Sequence, residues 1–186
     1  MKTSNIILIT IASIMVFFGG VYIITYNSLV SLEENVAKQE SNIDTVLQRR
    51  ADLIPNLVNT AKGYSQHEET VFKELAEART NMNNASSIED KANAENEMSN
   101  ALSKFNVVVE AYPELKSDKH FSELMTELEG TENRITVARK DYNSSVETYN
   151  RKIKGFFTRM FFGRSEKQYF KADGQSKANP VVDFNK

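Results

Sequence analysis

From Thr3 to Leu32 the chain carries no charged side chain, and within that run residues 6–26 read IILITIASIMVFFGGVYIITY. At 1.5 Å rise per residue, those 21 residues make a helix about 31 Å long, close to the ~30 Å hydrocarbon core of a bilayer. The stretch is apolar on every face, so burial in a soluble core is a poor match. Tyr22 and Tyr26 stand at its C-terminal end, where amphipathic rings favour the headgroup level. A cleaved signal would need small residues flanking the cut. Two positions before Gly19 and Gly20 stand Phe17 and Phe18, which argues for a retained span. Residues 6–26 are therefore expected to cross the bilayer once, after a short tail, 1–5. Lys2 precedes the span and Glu33, Glu34 and Lys38 follow it, so the positive-inside bias puts the N-terminus in the cytoplasm and the following domain on the exported side.

The rest of the chain divides by charge. Residues 33–150 hold 22 acids against 13 Lys and Arg, whereas 151–171 hold seven bases and one acid, Glu166. Cysteine is absent, which removes disulfides, thiolate nucleophiles and Cys-ligated metals. After the span only three prolines interrupt: Pro55, Pro113 and Pro180. Apolar residues recur at steps of three and four in three series. The first runs from Ile43 through Leu47, Leu57, Tyr64 and Leu75 to Ala78. The second runs from Ile88 through Met98 and Phe105 to Tyr112, and the third from Phe121 through Ile135, Tyr142 and Tyr149 to Phe156 and Met160. Each is one stripe on a helix, with none of the alternation of a strand.

The breaks fit this reading. Ser87 with Asp90 suits a helix N-terminus, and residues 81–84 suit the turn before it. Tyr112 before Pro113 ends the second helix, Ser117 and Asp118 cap the third, and Pro55 either opens a helix or kinks a continuous one. The expected fold is all-α: a transmembrane helix and then an antiparallel up-and-down four-helix bundle over 27–162, with an extended tail over 163–186. The last helix, about 118–162, would be about 67 Å long. In the tail, Tyr169, Phe170, Val181, Val182 and Phe184 are the apolar anchors of a strap or loose end.

No constellation points to catalysis. His67 and His120 are the sole histidines, and neither has the second His four residues on that a zinc helix requires. The acids of Glu127, Glu129 and Glu132 belong to a charged helix face. Neither a glycine-rich phosphate loop nor a nucleophile elbow is present. No catalytic residue, metal ligand or cofactor is expected, and the acidic domain argues against nucleic acid.

Two other groups of residues draw attention. Arg49, Arg50, Asp52 and Asn56 interrupt the first apolar stripe, and Glu132, Asn133 and Arg134 interrupt the last. Helical spacing can bring such groups together as interhelical ion pairs that fix register, Arg50 with Glu132 in particular, or leave them as a partner-binding stripe. The second group lies in the basic aromatic segment 151–164, where Phe156, Phe157, Arg159, Phe161 and Phe162 have the chemistry of a surface that lies on anionic lipid. The competing reading has the same aromatics closing the bundle end.

Tyr142-Asn143 and Tyr149-Asn150 repeat seven residues apart, a spacing more typical of packing than of a ligand box. With QRRADLIPNLV over 48–58, AYPELK over 111–116 and ELEGTENRI over 127–135, they resemble the LemA family over about residues 6–184. Tyr169-Phe170 and residues 180–184 look like that family's closing segment. After Asn150 the chain departs from the family pattern, with KIKGFFTRMFFGR in place of an apolar, proline-containing stretch. The resemblance implies a bacterial single-span membrane protein with an up-and-down four-helix bundle, and it implies no catalytic activity. The function expected is a non-enzymatic interaction or scaffold module in the bacterial cytoplasmic membrane. Its partners would be the bilayer through 6–26 and an envelope protein or a second copy of the chain. The alternative is a membrane-surface binding or sensing module built on 151–164.

Overall fold

The computed structural model describes residues 3–64 and 68–171, and within them the protein is all-α. His67, Pro180, Val181, Val182 and Phe184 lie outside the described residues. The helices are α1 (Thr3–Lys62), α2 (Glu69–Asn84), α3 (Ile88–Glu110), α4 (Pro113–Lys116), α5 (Lys119–Ile153) and α6 (Phe156–Phe162). They form two compact units. One draws on residues up to Lys38 and on Ser144–Lys167, the other on Gln39–Asn143 and residues from Gln168.

The first unit contains the uncharged part of α1. An eighteen-residue window there has mean hydropathy 2.5 with none of it buried, long and apolar enough to cross a membrane. Leu29 and Val36 of α1 and Val146, Tyr149 and Ile153 of α5 are its buried apolar residues. The expected single helix over 118–162 is instead two. Gly155 adopts extended backbone (φ −60°, ψ 142°) that cannot continue a helix, so α6 starts anew after it. Gly163 then closes α6 in the left-handed region at φ 52°, where a side chain would be strained. Beyond the break the third stripe stops being core, since Phe156 is 84% and Met160 67% exposed.

The second unit is the helical bundle proper. Three residues join α2 to α3, too few for anything but antiparallel neighbours. Leu47, Ala51, Ile54, Leu57 and Ala61 of α1 are buried on both sides of Pro55, so the helix runs on through the proline. Packing of that stripe outweighs the ~3 kcal/mol or more that an interior proline costs. Phe105 is the centre of an aromatic chain, with Phe72 of α2 at 6.3 Å and Phe121 of α5 at 6.1 Å. Residues 81–84, expected as a turn, are the last turn of α2. Met82 extends its buried stripe, and Asn81 Nδ2 donates to Glu97 Oε2 of α3 at 2.7 Å.

Caps fix the ends. Ser87 Oγ accepts from the Asp90 N–H at 3.0 Å, and Asp90 Oδ2 accepts from the Ser87 N–H at 3.2 Å. The Ser87 side chain, followed by its backbone N–H, holds the Asp90 carboxyl below its usual range. Asp118 likewise accepts from the Phe121 N–H at 2.9 Å and from the Tyr64 hydroxyl at 2.9 Å, and its carboxyl is also pushed down.

Past Gly163 the chain is extended and is held by asparagine side chains of α5. In the first unit Asn150 clasps Lys167, donating to its carbonyl at 2.9 Å and accepting from its N–H at 2.8 Å. In the second, Asn143 makes the same two bonds with Phe170, whose ring is buried, at 3.0 and 2.9 Å. Asn150→Ala therefore leaves both backbone groups of Lys167 without partners. The expected cost is about 1–3 kcal/mol, read as faster tryptic cleavage at Arg164 and Lys167 in the detergent-solubilised chain. Unchanged cleavage rates would show that the clasp does not hold the segment.

Candidate functional site

The second unit buries a set of charges among its apolar stripes. Arg50 of α1 is only 4% exposed, because it follows Leu47 by three residues and so faces the same core. Its Nη1 lies 2.9 Å from Glu95 Oε1 on α3 and 2.7 Å from Glu132 Oε2 on α5. Glu95, 3% exposed, also accepts from Ser99 Oγ at 2.9 Å and lies 3.8 Å from Arg139 Nη1. Arg139 in turn sits over the Phe170 ring at 5.3 Å. One guanidinium thus joins three helices. Its Nε makes no hydrogen bond among the described residues, and Arg50 lines a cleft of about 310 Å³ with Asn106, Met125 and Glu132.

One turn before Glu95, a second cation goes inside. Lys91 is 8% exposed, with Nζ at 2.6 Å from Asp44 Oδ1 and 3.0 Å from Glu40 Oε1, both on α1. Burial by itself would lower the ammonium pKa, but hydrogen bonds to Asp44 and Glu40 overcome it and raise the value above the usual lysine range. Nearby, the Tyr142 hydroxyl donates to the Gln168 carbonyl at 3.0 Å. Burial, then the charge of Glu40, pushes that phenol up to about 12. Both shifts stabilise the forms present at neutral pH, a lysine kept charged and a tyrosine kept neutral.

Of the stripe residues, the structure brings together Arg50 and Glu132 and leaves the others at the surface. Arg49 is exposed and 3.8 Å from Glu127, and Asp52 accepts from Gln48 Nε2 at 2.8 Å. Asn56, Asn133 and Arg134 are exposed. Glu95 and Lys91 escaped sequence reasoning because they sit in a run rich in Ala, Asn and Glu. Their phase was the available signal: Glu95 is three residues from both Ala92 and Met98, which are buried.

The basic aromatic segment belongs to the first unit. Phe162 stacks on Tyr22 of α1 at 4.8 Å and lies 6.3 Å from Tyr26, while Phe157 meets Phe161 at 4.6 Å. Phe156, Arg159 and Phe161 are exposed, Phe157 and Phe162 half-buried, and Thr158 is the buried residue of α6. The aromatics thus divide between packing and exposure. Among the described residues no group of three or more His, Asp or Glu could hold a metal ion.

Breaking a buried pair on one side costs about 3–5 kcal/mol, whereas replacing both partners by apolar groups costs much less. Arg50→Met is expected to destabilise by that amount, and Arg50→Met with Glu95→Leu to recover most of it. Chemical denaturation of the four corners of this cycle in detergent checks the coupling. Additive single effects would show that Arg50 does not need Glu95.

The chain is 28% identical over 174 residues to magnetosome protein MamQ 2 of Paramagnetospirillum magneticum, covering 80% of this chain and 64% of that protein. It is 28% identical over 185 residues to magnetosome protein MamQ of Magnetospirillum gryphiswaldense, covering 84% and 68%. Protein LemA of Metamycoplasma hominis is 25% identical over 157 residues, covering 82% of this chain and 69% of that protein. The chain thus spans 64% of the length of the MamQ 2 relative. The LemA family profile matches residues 39–184, which take in α2 through α6 and the end of α1, and the chain belongs to the LemA family.

Proposed function

We propose that this protein is a non-enzymatic scaffold of the bacterial cell envelope, a helical bundle tethered to the cytoplasmic membrane by one span. The observation that carries the tether is α1 itself, a single helix from Thr3 to Lys62. Its first part is apolar and exposed all round, and its later part is buried along one stripe. An apolar surface of that length is stable in lipid and not in water. Two of the relatives carry the name of the magnetosome, which supports a place at a membrane. The buried ionic groups support a non-catalytic reading, because Arg50, Glu95 and Lys91 are engaged with one another or with Glu132, Glu40 and Asp44. Arg49, Asn56, Asn133 and Arg134 are the surface offered to a partner, either an envelope protein or a second copy of the chain. The reading includes a bundle on the exported side, which Lys2 ahead of the span supports.

Photo-crosslinking in cells tests the scaffold. A photoreactive residue at the exposed Asn56 or Arg134 is expected to capture one recurring envelope protein, while the same residue at Phe105, in the core, captures none. The partner's own location then reports the side of the membrane. Adducts at no surface position would remove the scaffold reading.

A second reading, a membrane-surface module, is favoured by the Tyr22–Phe162 stack, which ties α6 to the end of the apolar stretch. The exposed Phe156 would then lie in the headgroup region. The chain has no tryptophan, so Phe156→Trp gives a single reporter. In vesicles its emission is expected to shift to the blue and to be quenched by shallow brominated lipid. Emission like that of an indole in water would exclude lipid contact at α6.

A further inference from the structure

The unit that contains the apolar stretch also holds a groove of about 530 Å³. Val21 and Leu32 of α1 and Phe156 and Phe157 of α6 supply its apolar lining, and Arg151 and Lys152 of α5 its cations. Val21 lies one residue before Tyr22, the ring on which Phe162 stacks at 4.8 Å. The groove therefore begins inside the apolar stretch and reaches, by way of Leu32, residues beyond it. Its cations are only partly neutralised internally. Arg151 pairs only with the exposed Glu147, at 2.7 Å, and Lys152 has no ion pair among the described residues. Over this unit's described residues seven bases face four acids.

We propose that this groove seats one anionic phospholipid of the bilayer, with its phosphate at Arg151 and Lys152 and an acyl chain along Val21 and Phe157. The proposal rests on the tether reading, since the lipid enters from the membrane in which Val21 lies. Each half of the lining excludes a simpler ligand. A soluble anion would leave the apolar wall unused, and a neutral lipid would leave Lys152 uncompensated. A phospholipid with a net negative headgroup matches both.

Native mass spectrometry of the full-length chain, released from neutral detergent after adding palmitoyl-oleoyl phosphatidylglycerol or phosphatidylcholine, tests this. Phosphatidylglycerol is expected to be retained about tenfold or more over phosphatidylcholine, with excess inorganic phosphate leaving its retention unchanged. Each charge removed should weaken retention about fivefold. Lys152→Gln then loses that factor, and Arg151→Gln with Lys152→Gln loses the preference altogether. These residues are exposed, so the variants are expected to keep the helical circular dichroism of the parent. Thr25→Trp, which fills the groove, should lower retention of both lipids. Equal retention of the two lipids, or indifference to Lys152→Gln, would overturn the proposal. Displacement by phosphate would turn the groove into a free-anion site and overturn it too. Carbonate extraction of cell membranes separates the two readings. A chain washed from the membrane overturns the tether, whereas a chain that stays but shows no phosphatidylglycerol preference overturns the groove alone.

Discussion

An arginine that is only 4% exposed cannot be left without counter-charge. Arg50 faces the core because the helical phase of α1 gives it no other direction, between Leu47 and Ile54. Whatever packs against that turn has to present carboxylates, and Glu95 of α3 and Glu132 of α5 do so at 2.9 and 2.7 Å. A slip of one helical turn along either partner would take away one of the two carboxylates that face the arginine, at a cost of several kcal/mol. The ionic group therefore selects one register among the several that greasy stripes alone would tolerate. Lys91 repeats the device a turn away on α3, held by Glu40 and Asp44 of α1. Two such pins between α1 and α3 leave little freedom for sliding or rotation within the bundle.

Extended chain poses the same problem in its backbone, whose N–H and C=O groups need partners wherever water is displaced. Asparagine is suited to this because its amide offers a donor and an acceptor side by side, copying the edge of a strand. Asn150 with Lys167 and Asn143 with Phe170 each close that two-bond ring. The apolar anchor is Phe170, buried and capped by the Arg139 guanidinium. Arg139 in this way touches both the ionic group, through Glu95, and the strap.

Periodicity made the helices legible, and the buried residues follow the stripes from Ile43 to Ile153, although Tyr64 of the first stripe is exposed. Arg50 and Glu132 were also legible, since a charge inside an apolar stripe needs an opposite one on a facing helix. Glu95 was not, because Glu89, Glu95 and Glu97 look alike in composition and differ only in phase, and phase has meaning once neighbours are known. The Tyr-Asn repeat gave its tyrosines away as packing residues, whereas its asparagines act on backbone far along the chain, which spacing on one helix cannot reveal. The break at Gly155 was hidden by its surroundings. Ile153, Phe156 and Met160 keep helical spacing across it, and only the extended backbone of the glycine shows that the latter two are no longer core.

The charge blocks of the sequence acquire different meanings once pairing is taken into account. In the bundle unit nineteen described acids meet thirteen bases, and its buried cations, Arg50 and Lys91, each face two carboxylates. Cations there are the scarce species and serve the fold. In the unit with the apolar stretch the balance reverses. Lys154 and Arg164 are paired with Glu166 and Glu33 at 2.9 and 3.5 Å, but Lys152 and Arg159 have no acid in reach among the described residues. Those two residues flank exposed phenylalanines. Folding alone gives no reason to hold unpaired cations beside exposed apolar rings, since each would be as stable in water without the other. A surface that is anionic above and apolar below satisfies both at once, and a bilayer of anionic phospholipid is such a surface.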